Sequence, residues 1–286
     1  MKTARTVAAW ILLGALALAL PAAAQQQQQQ PPPPAQQPQQ GQQPSFTLGQ
    51  TQPGPEETEA VTQILQTADL DQRLALIQDF LAKYPNSMLV GRAYAAAADA
   101  YRKKNKHAQT IEYGEKAIEL SPKDAYSMIL VADSLAESAV PTQPDYQEKL
   151  SKSENYCRSS LEILPEMFAA IPRRPGVPEE QYAAAQHQSE GLAHAILGFV
   201  HLRRGENAQA VEELNKAVQT DSFKPQPLDY HRLGLAYKRQ GQLKEAESAF
   251  QHCVEISGGG FLDCQKQLDQ VRQTLGSSTA TPEKKP

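Results

Sequence analysis

The sequence predicts an all-α fold in which short antiparallel helix pairs stack in a row as a solenoid. Two observations lead to this fold class. Hydrophobic residues make up 40% of the 286 residues and aromatic residues only 6%, so the core must be built largely from Ala, Leu, Ile and Val, as helix-on-helix packing favours. A pattern of small and large residues also recurs at intervals of about 34 residues, which indicates stacked copies of one supersecondary unit.

The charge balance argues against a nucleic-acid-binding protein. Lys and Arg number 28 against 32 Asp and Glu, which gives a formal net charge of −4 and a pI of about 5.9. Electrostatic binding of nucleic acid needs a clustered basic surface. The chain has 3 cysteines, too few for a disulfide scaffold of this size.

Residues 1–24 have the three parts of a secretory signal peptide. Lys2 and Arg5 precede an apolar run at 8–20, and small residues end the segment at Ala24. A membrane-spanning helix needs about 20 apolar residues, so the run favours cleavage after Ala24 over a permanent anchor. No Cys lies near this point to accept a lipid. The sequence therefore predicts a bacterial protein that is exported, periplasmic or secreted, with no membrane span after cleavage.

Residues 25–55 are composed mainly of Gln and Pro. Such a segment buries too little apolar surface to offset the entropy of ordering it, so we predict a disordered linker. The run from Pro31 to Pro34 favours an extended polyproline II conformation. A recognition motif is the alternative interpretation.

The two best-matched copies of the repeat lie at 197–217 and 233–253. In each copy a Leu-Gly pair, a large residue and a turn glycine are followed by a second helix with small residues at fixed offsets. A third copy begins at Tyr94 and closes at Pro122. The pattern resembles the tetratricopeptide repeat, a helix–turn–helix unit of about 34 residues. The resemblance covers most of residues 91–260 and implies a right-handed superhelix. The matched positions are Leu197 with Leu233, Gly198 with Gly234, His201 with Tyr237, Gly205 with Gly241, Ala210 with Ala246, Leu214 with Phe250, and Ala217 with Cys253.

Laid along the chain, the pattern places one helical-repeat domain at 56–275. Its end, residues 261–275, is amphipathic and predicts the capping helix that a solenoid needs for solubility. Residues 276–286 predict a disordered tail. The predicted repeats span about 56–88, 91–124, 125–165, 191–224 and 227–260.

The third repeat departs from the family pattern. An insertion at 139–149 separates its two helices, and the repeat is predicted to close at Leu164–Pro165. A proline-rich segment, 166–178, follows it. The next helix is predicted to be long, from Glu179 towards Arg204.

Histidines and cysteines are the residues in which a metal or redox site would be expected. His187, His194 and His201 recur every seven residues on one predicted helix, about 10.5 Å apart, so no two could share a metal. We predict that they pack in the repeats and that there is no metal site. Cys253 and Cys264 flank a glycine turn, and a disulfide between them is one interpretation, with two buried thiols as the other.

No arrangement of residues typical of an enzyme is present. Cys157 is predicted to be a buried free thiol, without a suitably spaced His–Asp or His–Asn set to activate it. The glycine run 258–260 lacks the Lys-Ser/Thr ending of a phosphate-binding loop. Acidic residues are predicted to lie on solvent faces of helices. The sequence therefore predicts a protein that is not an enzyme and has no cofactor.

The resemblance implies that the first helix of each repeat lines a concave inner wall, which would bind a protein or peptide. The alternative is that these residues are solvated or pack on neighbouring helices. One subgroup of the family binds the C-terminal carboxylates of a peptide through Lys and Asn at two inner-wall positions. These positions are Ala95 and Asp99 here, so this mode of carboxylate binding is not predicted. The predicted inner-wall residues are Arg92, Ala95, Asp99, Arg102, Tyr126, Ile129, Asp133, Leu192, Ala195, Phe199, Arg203, Leu228, His231, Leu235 and Lys238.

The function predicted from the sequence is a non-enzymatic scaffold of the bacterial envelope that binds a protein or peptide on this concave face. One alternative is a self-associating accessory protein of envelope or cell-wall assembly. Another is an enzyme that uses the groove near the 166–178 segment. Arg173 and Arg174 in that segment are candidates for a second contact with a partner, and a mobile surface loop is the alternative.

Overall fold

A computed structural model describes residues 52–173, 175–220 and 224–279, and every regular element within these ranges is an α-helix. The described part of the chain holds eleven helices joined by turns and loops, and it holds no strand. The predicted all-α fold class is confirmed. In chain order the helices are α1 (Pro55–Gln66), α2 (Leu70–Lys83), α3 (Val90–Lys103), α4 (His107–Leu120), α5 (Ala125–Ser138), α6 (Tyr146–Ala170), α7 (Glu179–Arg204), α8 (Asn207–Gln219), α9 (Pro227–Arg239), α10 (Leu243–Ser257) and α11 (Leu262–Thr279).

Several expectations concern residues outside the described ranges. The predicted signal peptide at 1–24 and the linker up to residue 51 fall there, as do residues 280–286 of the predicted tail. These expectations stay predictions. None of the described helices combines the length and the apolar character needed to cross a bilayer.

The helices pack in pairs, and the pairs stack. Helix α3 packs on α4, α5 on α6, α7 on α8, and α9 on α10. The first helices of successive pairs also contact one another, α3 on α5, α5 on α7 and α7 on α9. The apolar face that one pair leaves open is covered by the next pair, as in a solenoid of helix pairs.

Small residues in the repeat pattern mark the places where paired helices approach most closely. A Cβ atom added at Gly198 would lie 2.4 Å from Cγ of Leu214, and one at Gly234 would lie 2.6 Å from the ring of Phe250. Leu214 and Phe250 are both 0% exposed, so neither side chain has room to move away. Gly205 has a different role, since it ends α7 at a φ of 81°, which favours glycine.

Helix α6 shows that the predicted end of the third repeat at Leu164–Pro165 is wrong. The helix runs from Tyr146 through Pro165 to Ala170, so residues 166–170 are helical and the insertion between α5 and α6 is shorter than 139–149. Proline in a helix interior removes one backbone hydrogen bond and usually ends or kinks the helix. Leu164 and Phe168, one turn apart, are 1% and 2% exposed within the core shared with α5 and α7. Their burial offsets the lost hydrogen bond.

The C-terminal helix α11 is the cap of the solenoid, and it packs mainly against α10. It continues to Thr279, beyond the predicted end of the cap at residue 275. Residues 276–279, predicted as part of a disordered tail, are therefore helical. A disulfide joins Cys253 in α10 to Cys264 in α11, with the two Cα atoms 6.0 Å apart.

Candidate functional site

A groove of about 680 Å³ lies on the inner wall of the first three repeats. We call it the inner groove. Helix α3 contributes residues along most of its length, and the C-terminal end of α6 contributes a second wall through Met167 and Ala170. The inner groove is lined by Leu65, Arg73, Gly91, Arg92, Ala95, Ala96, Asp99, Lys103, Ser121, Pro122, Lys123, Asp124, Tyr126, Met167, Ala170, Ile171 and Pro172.

Four of the predicted inner-wall residues, Arg92, Ala95, Asp99 and Tyr126, line this groove. The other three predicted inner-wall residues of the second and third repeats do not line the groove. Arg102 and Asp133 form an ion pair between α3 and α5. Ile129 is 1% exposed and belongs to the core between the third and fourth repeats. These three residues hold neighbouring repeats together.

A cluster of charges around Asp99 forms one end of the inner groove. Arg73 in α2 and Lys103 in α3 donate hydrogen bonds to the same Asp99 oxygen, at 3.0 and 2.8 Å. The Tyr126 hydroxyl donates to the other oxygen at 3.3 Å. Burial, together with the Asp99 charge, raises the pKa of Tyr126 well above its ordinary value, so this hydroxyl stays protonated and can serve as a donor.

The predicted inner-wall residues of the fourth repeat pack against neighbouring repeats. The guanidinium carbon of Arg232 lies 3.5 Å from the centroid of the Phe199 ring, and that of Arg203 lies 5.3 Å from it. Arg203 also donates to the carbonyl of Ala139. Ala195 is 0% exposed, and Leu192 is half-buried against the same core as Phe199. This part of the wall is therefore filled by its own side chains.

In the fifth repeat, three of the four predicted inner-wall residues contact the capping helix α11, the residue just before it, or the apolar cluster that α10 and α11 share. The ring of His231 lies 5.2 Å from that of Phe261, just before α11, and Lys238 Nζ donates to Gln267 at 2.8 Å and to Gln270 at 3.0 Å. Burial lowers the pKa of His231, which favours the neutral imidazole. Leu235 packs against the apolar cluster shared by α10 and α11. Leu228 is half-buried at the start of α9.

Arg173 donates hydrogen bonds to carbonyl groups at the C-terminal end of α6. It donates to the carbonyls of Phe168 and Ile171, at 3.1 and 2.9 Å, and to both carboxylate oxygens of Glu179, at 2.7 and 2.8 Å. Its guanidinium carbon also lies 4.5 Å from the centroid of the Tyr182 ring. The structure thus gives Arg173 a role in joining α6 to α7, and Arg174 lies outside the described residues.

Two of the three histidines of α7, His194 and His201, bond to carboxylates in the neighbouring helix or turn. His194 Nδ1 lies 2.6 Å from Glu213 in α8, and His201, 5% exposed, lies 2.6 Å from Glu206. Among the described residues no group of three or more His, Cys, Asp or Glu side chains is placed to share a metal ion. Cys157 is a free thiol that is 0% exposed, and burial raises its pKa well above the ordinary value, which opposes formation of the reactive thiolate.

Sequence reasoning missed several groove residues. Arg73 lies on the second helix of the first repeat, which is degenerate in sequence. Met167 and Ile171 were missed because Pro165 indicates a helix end. The one available signal was the spacing of Leu164 and Phe168, which continues the apolar periodicity of α6 across the proline.

A family match and one solved structure agree with the repeat architecture. Residues 91–124 and 230–258 match the family described as Tetratricopeptide repeat. A search of curated protein sequences finds no match. The crystal structure of TTC0263, a thermophilic TPR protein of Thermus thermophilus, superposes with a TM-score of 0.50 at 15% identity, over 76% of this chain and 99% of that one. The APC/C hetero-tetramer Cut9–Hcn1 gives a TM-score of 0.38 at 14% identity, over 77% of this chain and 42% of that one.

Proposed function

Because the chain is a tetratricopeptide-repeat protein, we propose that it is a non-catalytic scaffold that binds a segment of another protein in the inner groove. The observation that carries this proposal is the groove itself. Its volume of about 680 Å³ lies within the range of the clefts in which proteins bind drug-sized ligands. Most of the remaining predicted inner-wall positions contact neighbouring repeats or the cap, so binding is concentrated on α3 and the end of α6.

The chemistry of the groove supports binding rather than catalysis. Its two carboxylates already have structural partners. Asp99 accepts hydrogen bonds from Arg73, Lys103 and Tyr126. Asp124 accepts from the backbone N–H of Ser127 at 3.1 Å and from its hydroxyl at 2.6 Å, as the N-cap of α5. A carboxylate whose lone pairs are occupied by several donors is poorly placed to accept a proton from a substrate.

Export to the bacterial envelope is a further part of the proposal. It is supported by the N-terminal sequence, where Lys2 and Arg5 precede the apolar run 8–20 and the small residues that end at Ala24. If the proposal is right, the intact mass of protein recovered from the periplasm or medium corresponds to a chain that begins at Gln25. A mass that includes residues 1–24 would contradict it.

The binding proposal is tested by selecting peptides from a random nine-residue display library on the full mature chain. An Ala95→Trp variant serves as the counter-selection, since Ala95 lines the groove and is half-buried, so an indole there fills the space. The matched control is Ala108→Trp, at a position of α4 outside the groove. We expect peptides that bind the wild-type chain and the Ala108→Trp variant but not the Ala95→Trp variant. A selection in which no peptide depends on the groove would refute the proposal.

A further inference from the structure

The capping helix α11 contacts the solenoid through a narrow stripe of side chains. Cys264, Leu268 and Val271 are buried, and Leu275 packs against the same apolar cluster. Intervals of four, three and four residues place these side chains on one face of the helix. Helix α11 packs mainly against α10, with a smaller contact to α9. Its apolar contact is therefore limited to one face of the last repeat.

The polar contacts between α11 and the last repeat are mostly exposed. Arg272 donates to Glu247 at 2.7 Å, and these two side chains are 50% and 33% exposed. Lys238 donates to Gln267 and to Gln270. Exposed ion pairs contribute little to stability, because water and salt screen them. These noncovalent contacts therefore hold α11 less firmly than a helix such as α8, which packs between α7 and α9.

The turn that joins α10 to α11 places little restriction on the capping helix. It contains Gly258, Gly259 and Gly260, and the first two have φ values of 57° and 78°. Glycine adopts this left-handed region as readily as other backbone conformations, because it has no Cβ atom. Without another connection, the turn would allow α11 to move away from α10.

The disulfide between Cys253 and Cys264 supplies that connection, and we call it the cap disulfide. It joins the last part of α10 to the first turn of α11, across a sequence separation of 11 residues. A covalent bond across a loop of this length favours the closed arrangement by about tenfold to a hundredfold over the same chain with two free thiols. Both cysteines are 0% exposed, so the bond is shielded from external thiols while α11 is docked.

We propose that the cap disulfide is a redox switch, which fixes α11 on α10 when it is oxidised and lets α11 detach, with the repeats still folded, when it is reduced. The oxidant is another disulfide. The thiolate of one cysteine attacks a sulfur of that disulfide and releases a first thiol, and the thiolate of the second cysteine then displaces the other thiol. The two cysteines lose two protons and two electrons, and the oxidant gains them as two thiols.

The switch would link docking of the cap to the redox state of the compartment. Thiols stay reduced in the cytosol, whereas disulfides form and persist in oxidising compartments. In a chain exported as proposed above, α11 would dock after export. The switch itself depends neither on export nor on the inner groove, which is lined by residues of other elements.

The test compares two preparations of the full mature chain. One is refolded from urea with a mixture of oxidised and reduced glutathione, and the other is refolded with a phosphine reductant. Alkylation under denaturing conditions verifies their state, since the 3 cysteines of the chain should give one free thiol in the first preparation and three in the second. Hydrogen–deuterium exchange is then measured for each. We expect the amides of residues 264–275 to exchange about tenfold to a hundredfold faster in the reduced chain, with those of α3 to α8 unchanged.

Two variants assign the effect to the bond. Cys253→Ala/Cys264→Ala cannot form the disulfide, and its α11 amides should exchange fast with or without reductant. Cys157→Ala is the matched control, since Cys157 is a free thiol in the core shared by α5 and α7. This control should keep the full difference between oxidised and reduced α11.

Slow exchange of α11 in the reduced wild-type chain would overturn the inference. This holds even if the double-alanine variant exchanges fast, because packing of the two side chains, and not the bond between them, would then hold the cap. Faster exchange spread equally over all helices of the reduced chain also overturns it, since the disulfide would then stabilise the whole domain.

Discussion

Arg232 in α9 stacks on Phe199 in α7, with its guanidinium carbon 3.5 Å from the centroid of the ring. The same guanidinium donates to Glu137 of α5 at 2.6 Å. One side chain that is 4% exposed therefore links first helices from three repeats. This contact fills part of the inner wall of the fourth repeat, whereas the inner groove lies along α3.

Replacing Arg232 tests this link. Arg232→Ala leaves Glu137 without its cation and removes the contact with the Phe199 ring, and we expect a loss of about 2–3 kcal/mol in the free energy of unfolding. Urea denaturation measures it. Lys244→Ala, at an exposed position of α10, is the control and should change stability by less than about 0.5 kcal/mol. Equal midpoints for the two variants would show that the stacked contact contributes nothing.

An alanine substitution should have opposite effects on stability at a glycine in the α7–α8 contact and at a glycine in open space. Gly198→Ala places a Cβ 2.4 Å from Leu214 and should destabilise the protein by about 1–3 kcal/mol through overpacking. Gly276→Ala lies in α11 with no atom within 4 Å of the added Cβ, so it should leave stability unchanged or raise it by up to about 1 kcal/mol. Thermal melting of both variants compares them. A stable Gly198→Ala protein would contradict the helix contact described for this pair.

Glu213 predicts a loss of stability in acid. Burial acts to raise the pKa of this carboxyl, but hydrogen bonds and positive charge from His194 and Lys216 outweigh burial and hold the pKa at about 2. The folded-state pKa is thus below the unfolded value of about 4.3, so the stabilisation is fully present above that value. It is lost as the pH falls from about 4.3 towards 2.

The measurement is urea unfolding at several pH values between 7 and 2. Glu213→Gln should lower stability at pH 7, on the order of 2 kcal/mol after allowance for solvent screening, and should flatten the acid dependence. Glu212→Gln is the matched control because its carboxylate pairs with the same Lys216 but is 64% exposed. An acid dependence that is identical in the Glu213→Gln variant and the wild type would rule out this role.

The continuation of α6 across Pro165 also makes a prediction. Pro165 is exposed, and Pro165→Ala supplies the N–H that the helix lacks without removing a buried contact. We expect the free energy of unfolding to rise by about 1–3 kcal/mol. If the helix ended at residue 165, the substitution would have almost no effect, and the backbone N–H of Phe168 would exchange rapidly with deuterium.

The fold was largely predictable from the sequence because residues that contact each other within a repeat are separated by the same short distance along the chain in each copy. Gly198 with Leu214, and Gly234 with Phe250, have the same offset within each repeat, and both pairs form the predicted helix contact. The end of α6 was not predictable from local propensity, since Pro165 indicates a helix end. Burial of Phe168 in a core shared with α5 and α7 overrides that signal.

The candidate site was only partly predictable, for a related reason. Position in the repeat places Arg92, Ala95, Asp99 and Tyr126 on the inner wall, but it does not show which wall residues find partners in other repeats. Asp133, Phe199 and Lys238 are occupied by contacts with residues distant in sequence. Arg73, Met167 and Ile171 enter the groove through tertiary packing.

The central claim is that a ligand segment binds in the groove between α3 and the end of α6. Hydrogen–deuterium exchange of the full mature chain, with and without a peptide from the library selection, tests it most directly. We expect slower exchange in residues 91–103 and 166–172, with little change in α10 and α11. Protection confined to α10 and α11, or spread evenly over all helices, would contradict it.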